Sequence, residues 1–263
     1  MSDPILVVRD LTLRFGGVTA LHEVSFEVGR GELFAVIGPN GAGKTSIFNC
    51  VSAVHRPERG SILLDGVELV GRRASRTAAL GVGRTFQDLG LFGDLDVVDN
   101  LLLGRHHLMR TGLLAGALWW GPARREEVAH REAVEAVVDL LDLGPHRHRP
   151  VGLLPYGVRK RVELGRALAM EPKLLLLDEP VAGMNLAETE DMAAAVLEVR
   201  ERLGLAMVLV EHDMQLVMDL ADRVMVLDFG VAIATGTPAE VQADPRVVEA
   251  YLGVGTAAPA GEP

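Results

Sequence analysis

Leu33-Phe34-Ala35-Val36-Ile37-Gly38-Pro39-Asn40-Gly41-Ala42-Gly43-Lys44-Thr45 is the stretch whose reading sets the fold. Its first five residues are a continuous apolar run, the pattern of a strand buried on both faces. The next eight fit G-x-x-x-x-G-K-[ST], and a helix is expected to follow. Strand, glycine-rich turn and helix form the context in which that motif has physical meaning. The glycines let backbone N–H groups turn inward at a helix N-terminus and cradle phosphate oxygens. Gly38, Pro39, Asn40, Gly41, Ala42, Gly43, Lys44, Thr45 and Ser46 are therefore the expected nucleotide-phosphate set. Lys44 is suited to reach the β- and γ-phosphates of ATP, and the Thr45 hydroxyl to ligate Mg2+. A turn that matches by chance is the competing explanation. Lysine occurs only at positions 44, 160 and 173, which makes such a match rare.

Two carboxylates and a histidine stand where a phosphate loop needs help. Asp178 and Glu179 follow the apolar run Leu174 to Leu177. A buried strand ending there delivers them to the C-terminal edge of the sheet, where α/β proteins bind ligands. Asp178 is suited to hold magnesium through water, and Glu179 to orient or deprotonate the attacking water. Alone, the pair would read as a solvated acidic turn; a phosphate loop upstream reverses that preference. Glu211-His212 closes the next apolar run, Ala206 to Val210, so His212 is expected at the same edge as a γ-phosphate contact. Phe15, either plain core or an adenine-stacking ring, precedes the phosphate-loop strand.

Outward from these points the chain reads as α/β. Leu11 to Phe15 and Val24 to Val28 alternate as half-buried antiparallel strands do, and Asp65-Gly66 between two short strand runs is a hairpin signal. Residues 128–143 and 158–168 carry helical apolar spacing, the second stopping before Pro172. A helix over 188–202 separates the strands at 174–177 and 206–210, a parallel arrangement. A last hairpin is expected from Arg223 to Thr235, turning at Asp228-Phe229-Gly230, and the Ala/Gly/Pro-rich tail 256–263 is expected to be disordered. With 49% hydrophobic residues the chain is globular, and a net charge of -10 argues against nucleic acid as a partner. Cys50 is the only cysteine, which excludes an intrachain disulfide. The N-terminus does not read as a secretory signal, and the longest nearly apolar stretch, Gly112 to Gly121, is too short to span a bilayer. His146-Arg147-His148-Arg149 reads as a solvated loop rather than a metal site, and Trp119-Trp120 with Leu113-Leu114 as packing at least as readily as a membrane-facing patch.

Taken in order, these motifs resemble the ATPases of ABC transporters over nearly the whole chain. The resemblance implies an A-loop at Phe15, Walker A, a Q-loop at Arg84-Thr85-Phe86-Gln87 and a signature at Leu154-Pro155-Tyr156-Gly157-Val158. It continues with Walker B at 174–179, a D-loop at Ala182-Gly183-Met184-Asn185 and an H-loop at His212. More narrowly the chain is similar to the branched-chain amino-acid importer ATPases. Arg84 to Gln87 with Leu91-Phe92 and Asp99-Asn100, the stretch 104–125, Glu211 to Met214 and Ala250-Tyr251-Leu252-Gly253 carry that likeness. Importers of urea, short amides and other amino acids share much of it.

The resemblance implies a RecA-like P-loop NTPase core with an N-terminal antiparallel β-subdomain and an inserted helical subdomain. It implies one ABC ATPase domain over 1–255 with the helical insertion at about 96–165. Glu179, His212 and Gln87 would be the catalytic groups, and Thr45, Gln87 and Asp178 would face magnesium. Two such chains, alike or different, would sandwich two ATP molecules head to tail. Two transmembrane permease subunits would carry them at the cytoplasmic face of the membrane, with a secreted substrate-binding protein acting indirectly. The helical-subdomain surface from Asp88 to Arg110 would lie nearest the permease. One departure stands out: Pro155 replaces the signature serine, Tyr156 a glycine and Val158 the glutamine, so the two ATP sites of a heterodimer would be unequal. A soluble ABC-type ATPase of DNA repair or translation would show a second cassette, a coiled coil or a basic surface, none of which is present. A hydrolysis-dead regulatory subunit that binds ATP without turnover is a third reading: intact Glu179 and His212 argue against it, and the altered signature argues for it.

Overall fold

In the computed structural model, which describes residues 3–86, 90–109 and 122–252, the elements follow the periodicities of the sequence. Along the chain they are β1 (Leu6–Phe15), β2 (Val18–Val28), β3 (Leu33–Ile37), α1 (Lys44–Val51), β4 (Arg59–Leu64), β5 (Val67–Glu68), α2 (Ala74–Ala79), β6 (Val82–Arg84) and α3 (Val97–Gly104). There follow α4 (Pro122–Leu140), α5 (Tyr156–Leu168), β7 (Leu174–Asp178), α6 (Leu186–Leu203), β8 (Ala206–Val210), α7 (Met214–Leu220), β9 (Arg223–Asp228), β10 (Val231–Gly236), α8 (Pro238–Ala243) and α9 (Pro245–Leu252). Among the described residues no helix is long and apolar enough to cross a membrane. Two compact units result. One holds the described residues up to Arg73 and from Ala206 onward, the other those from Ala74 to Leu205.

The first unit carries an antiparallel sheet in the order β2-β1-β4-β5. β1 and β2 are longer than strict alternation suggests, because their register shifts between Val8 and Leu11, where Asp10 takes φ +47°. A bulge of this kind spoils the period of two while the strand continues. Asp65 and Gly66, at φ +51° and +75°, make the tight β4–β5 turn that Asp-Gly favours. In the same unit β10, β9, β3 and β8 lie side by side, with β3 parallel to both β8 and β9. All five residues of β3 are buried, as a central strand requires. Phe26 of β2 stacks on Phe34 of β3 with centroids 5.2 Å apart, joining the antiparallel sheet to the parallel strands.

In the second unit β6 and β7 pair in parallel, Arg84 opposite Leu176. Helices α3, α4 and α5 pack through a close approach at Gly165, whose Cβ would lie 3.1 Å from Leu141, 3.4 Å from Leu101 and 3.4 Å from Val137. The buried faces are the expected ones, with Val134 and Val138 fully enclosed. α4 stops at Leu140, short of the predicted Leu143, because Asp142 enters the left-handed region at φ +52° and ends the turn. Asn100 is fully buried and satisfied: its amide donates to the carbonyls of Phe92, Leu95 and Asp96, and its Oδ1 accepts from Phe92 N at 2.9 Å. α6 opens on a capping box between Asn185 and Glu188 and closes on Gly204. The 146–149 segment is the polar loop expected, Arg147 pairing with Glu135 and His148 Nδ1 lying 3.5 Å from Asp96. Gly112 to Gly121 with both tryptophans, the tail 256–263 and Gln87 lie outside the described residues.

Candidate active site

The phosphate loop lies in the first unit, between β3 and α1. Gly38 takes φ +149° and Gly43 φ +103°. A Cβ at Gly38 would stand 2.0 Å from the Leu227 carbonyl oxygen, and one at Gly43 2.5 Å from that of Ala20. Both positions are therefore closed to side chains, and the reason is backbone approach as well as φ. The turn after β9 braces the loop from beneath, since Gly230 N donates to Ala42 O at 2.9 Å. Lys44 is buried at the first turn of α1, its Nζ donating to Gly38 O at 2.7 Å and Pro39 O at 3.1 Å. A lysine parked on the carbonyls of its own loop is held at the mouth of the cradle and can be drawn off by phosphate. Thr45 is exposed and Ser46 half-buried on the same turn.

His212 follows β8. Its backbone N–H donates to the buried Glu211 carboxylate at 3.1 Å, and its Nδ1 lies 3.5 Å from the same oxygen, while the side chain is 62% exposed. The ring is thus steered by its neighbour yet open to a ligand. Gly38 to Ala42 and His212 line one cavity of about 360 Å³ together with Asp228, Phe229 and Tyr251. Sequence reasoning brought His212 to this edge but missed the last three. Tyr251 comes from α9; burial pushes its phenol up to about 12, against the pull of the Gly38 N–H that it accepts. Its only sequence signal was its place in the Ala250-Tyr251-Leu252-Gly253 tail. Phe15 is 47% exposed and meets His55 edge-on at 5.1 Å, so it is a surface ring rather than core.

The carboxylates belong to the second unit. Leu174 to Leu177 are fully buried, and they deliver Asp178, 3% exposed, to the end of β7. Asp178 Oδ2 accepts from Arg84 Nη2 at 2.8 Å, and its backbone N–H donates to Thr85 Oγ1 at 3.1 Å. Glu179 takes φ +47°, a conformation that costs a non-glycine residue about 1–3 kcal/mol and that clusters at functional sites. The turn it starts is tied back: Ala182 N donates to Glu179 O at 3.2 Å, and Tyr156 Oη donates to Ala182 O at 3.0 Å. Tyr156 therefore fastens the turn that follows β7. Pro155 sits at the N-cap of α5 with no side-chain cap, and Gly157 leaves room for Glu188, which a Cβ there would meet at 2.9 Å. Glu163 of α5 is buried and accepts from Phe86 N at 2.6 Å. Burial pushes its carboxyl up to about 6, opposed by that N–H and by Lys160.

Among the described residues no group of three or more His, Cys, Asp or Glu could hold a metal by itself. Magnesium needs no such cage, because it takes one or two hard oxygens from protein and the rest from phosphate and water. Asp178 at the end of β7 offers a carboxylate oxygen and Thr45, in the first unit, a hydroxyl oxygen; each is a hard donor of the type magnesium takes.

Residues 21–182 match the ABC transporter family, and residues 233–257 match the family described as branched-chain amino acid ATP-binding cassette transporter. The chain is 41% identical to the high-affinity branched-chain amino acid transport ATP-binding protein BraF of Pseudomonas aeruginosa, over 96% of this chain and 99% of that one. It is 39% identical to the corresponding LivG protein of Escherichia coli K12, again over 96% and 99%. Among solved structures it is similar to the ADP conformation of MJ1267, an ATP-binding cassette of an ABC transporter. There the TM-score is 0.83 at 28% identity, covering 96% of this chain and all of the other.

Proposed function

The chain belongs to the ABC transporter family of ATP-binding proteins, and on that premise we propose that it is the ATP-hydrolysing subunit of an importer for branched-chain amino acids. The observation that carries the chemistry is the phosphate loop: two glycines that admit no Cβ and, as the first residue of α1, a buried lysine resting on two loop carbonyls. The substrate class is supported by the likeness to BraF and LivG and by the match over residues 233–257.

Backbone N–H groups of Gly41 to Ser46 receive the phosphates, Pro39 and Asn40 shape the loop, and Lys44 leaves its carbonyls to meet the β- and γ-oxygens. Phe15 offers an exposed ring to the adenine. Thr45 and Asp178 would hold Mg2+, assisted by Gln87. The ion, when bound, neutralises charge that develops on the phosphates. Glu179 orients the attacking water and takes its proton, and His212 donates toward the γ-phosphate. A single ABC ATPase domain over 1–255, with residues 96–165 as the helical subdomain, pairs head to tail with a second ATPase subunit. Each ATP then lies between one chain's phosphate loop and the other's signature. Pro155 and Val158 make the two sites unequal, since this chain's signature has lost a hydroxyl and an amide. Two permease subunits hold the pair at the cytoplasmic face of the membrane, and a substrate-binding protein delivers the amino acid from outside.

Proteoliposomes carrying the chain with its permease, partner ATPase and binding protein test this. ATP hydrolysis should rise several-fold when leucine, isoleucine or valine is supplied and stay basal with urea or short amides. Stimulation by urea alone would overturn the substrate class and leave the ATPase assignment standing.

A further inference from the structure

Arg84, at the end of β6, sits between two environments. Its Nη2 donates to Asp178 Oδ2 at 2.8 Å, with the two side chains only 8% and 4% exposed. Its Cζ also lies 5.2 Å from the centre of the Phe86 ring. Arg84 and Phe86 line a second cavity of about 360 Å³ with Leu103, His106 and Arg166. Asp178 has little freedom of its own. Its N–H is bonded to Thr85 Oγ1, and Thr85 N donates to Leu176 O at 2.9 Å, so the backbone that carries the carboxylate is pinned by the β6–β7 pair. Whatever competes for that carboxylate must therefore displace the arginine rather than draw the aspartate away.

A buried carboxylate needs a counter-charge, and a guanidinium supplies one together with a hydrogen bond. A divalent cation brought to the same group meets a positive charge already in place. We propose that Arg84 is a positioning residue that occupies the magnesium carboxylate Asp178 while the site is metal-free and cedes it when the ion arrives. The cavity beside Phe86 is the room into which the guanidinium retreats, keeping the face of that ring as its partner. The device keeps Asp178 aimed before nucleotide binds, and sets the metal affinity below what the bare carboxylate would give. The inference rests on Asp178 being the magnesium carboxylate of the proposed ATPase site.

The test uses the full-length chain with saturating ADP, so that no turnover occurs, and Mn2+ as the probe, with free Mn2+ counted by electron paramagnetic resonance. Removing the positive charge in Arg84→Met should tighten Mn2+ binding about tenfold or more, the scale on which one nearby charge biases an ionised carboxylate. The same variant, with metal and nucleotide absent, should unfold at a lower temperature, because Asp178 has lost its counter-charge. Arg84→Gln, which keeps an N–H for Asp178 without the charge, should also bind Mn2+ more tightly and covers the case in which Arg84→Met does not fold. Arg84→Lys should stay within about threefold of the wild type, since it retains the charge. Weaker Mn2+ binding in both neutral variants would overturn the proposal and make Arg84 a support for the metal ligand. Unchanged affinity with a lowered unfolding temperature would reduce it to a structural ion pair. If the wild-type chain itself bound no Mn2+ with ADP, the reading of the site would fail instead, a result visible before any variant is made.

Discussion

Alanine at Gly43 should destabilise the chain far more than alanine at Gly41, although both glycines belong to the same loop and both have positive φ. Gly41 takes φ +82° with open space around its missing Cβ, so its cost is backbone strain alone. For an alanine in the left-handed region that is about 1–2 kcal/mol. Gly43 takes φ +103°, and its Cβ would stand 2.5 Å from the Ala20 carbonyl oxygen and 3.0 Å from Leu21 Cδ2. The first contact is roughly 1 Å inside ordinary separation and is made with backbone, which cannot rotate aside as a side chain can. Either the start of α1 or strand β2 must move. Strain and forced displacement together should exceed about 3 kcal/mol. Urea unfolding of the two full-length variants, followed by far-ultraviolet circular dichroism at one pH and analysed with a common slope, measures the difference. A Gly43→Ala midpoint equal to or above that of Gly41→Ala would refute the reasoning.

Three further outcomes follow from particular contacts. Tyr156→Phe removes the hydroxyl that reaches Ala182 O at 3.0 Å, a bond worth about 1 kcal/mol, and loosens the turn that begins at Glu179. Steady-state kinetics should show kcat for ATP lowered with KM unchanged; a change in KM alone would place the tyrosine elsewhere in the mechanism. Pro155→Ser gives α5 the side-chain cap it lacks and should raise stability by about 1 kcal/mol, seen as a higher urea midpoint. Glu163 has its folded carboxyl raised to about 6, chiefly by burial, so the stability it contributes is complete at low pH and is lost as pH rises through 6. Relative to Glu163→Gln, the wild type should therefore lose about 2 kcal/mol between pH 4.5 and pH 7, and a pH-independent difference between the two would exclude the shift.

What was legible in the sequence was local. The strand–loop–helix at 33–51, the Asp65-Gly66 turn and the carboxylates after Leu177 each announce themselves within a dozen residues, because turn chemistry and periodicity act at that range. The non-local partners did not. That Arg84 meets Asp178 depends on the β6–β7 register, Arg84 beside Leu176, across some ninety residues of chain. Tyr251 reaches the phosphate loop only because α9 folds back beside Gly38, and the tail read by itself gave no hint of that. Pro155 was legible as a lost hydroxyl and a lost amide. Its place at the N-cap of α5, where the amide is not needed by the helix, was not. Asp10 broke the alternation of β1 because a bulge is a pairing event between strands, invisible along one of them.

Radiolabelled ATP retained by the full-length chain, with its products separated, tests the central claim most directly. The wild type should yield ADP. Glu179→Gln should hold ATP unhydrolysed, because the phosphate loop in the other unit is untouched. Lys44→Ala should retain little nucleotide of either kind. ADP formed by Glu179→Gln at the wild-type rate would contradict the account.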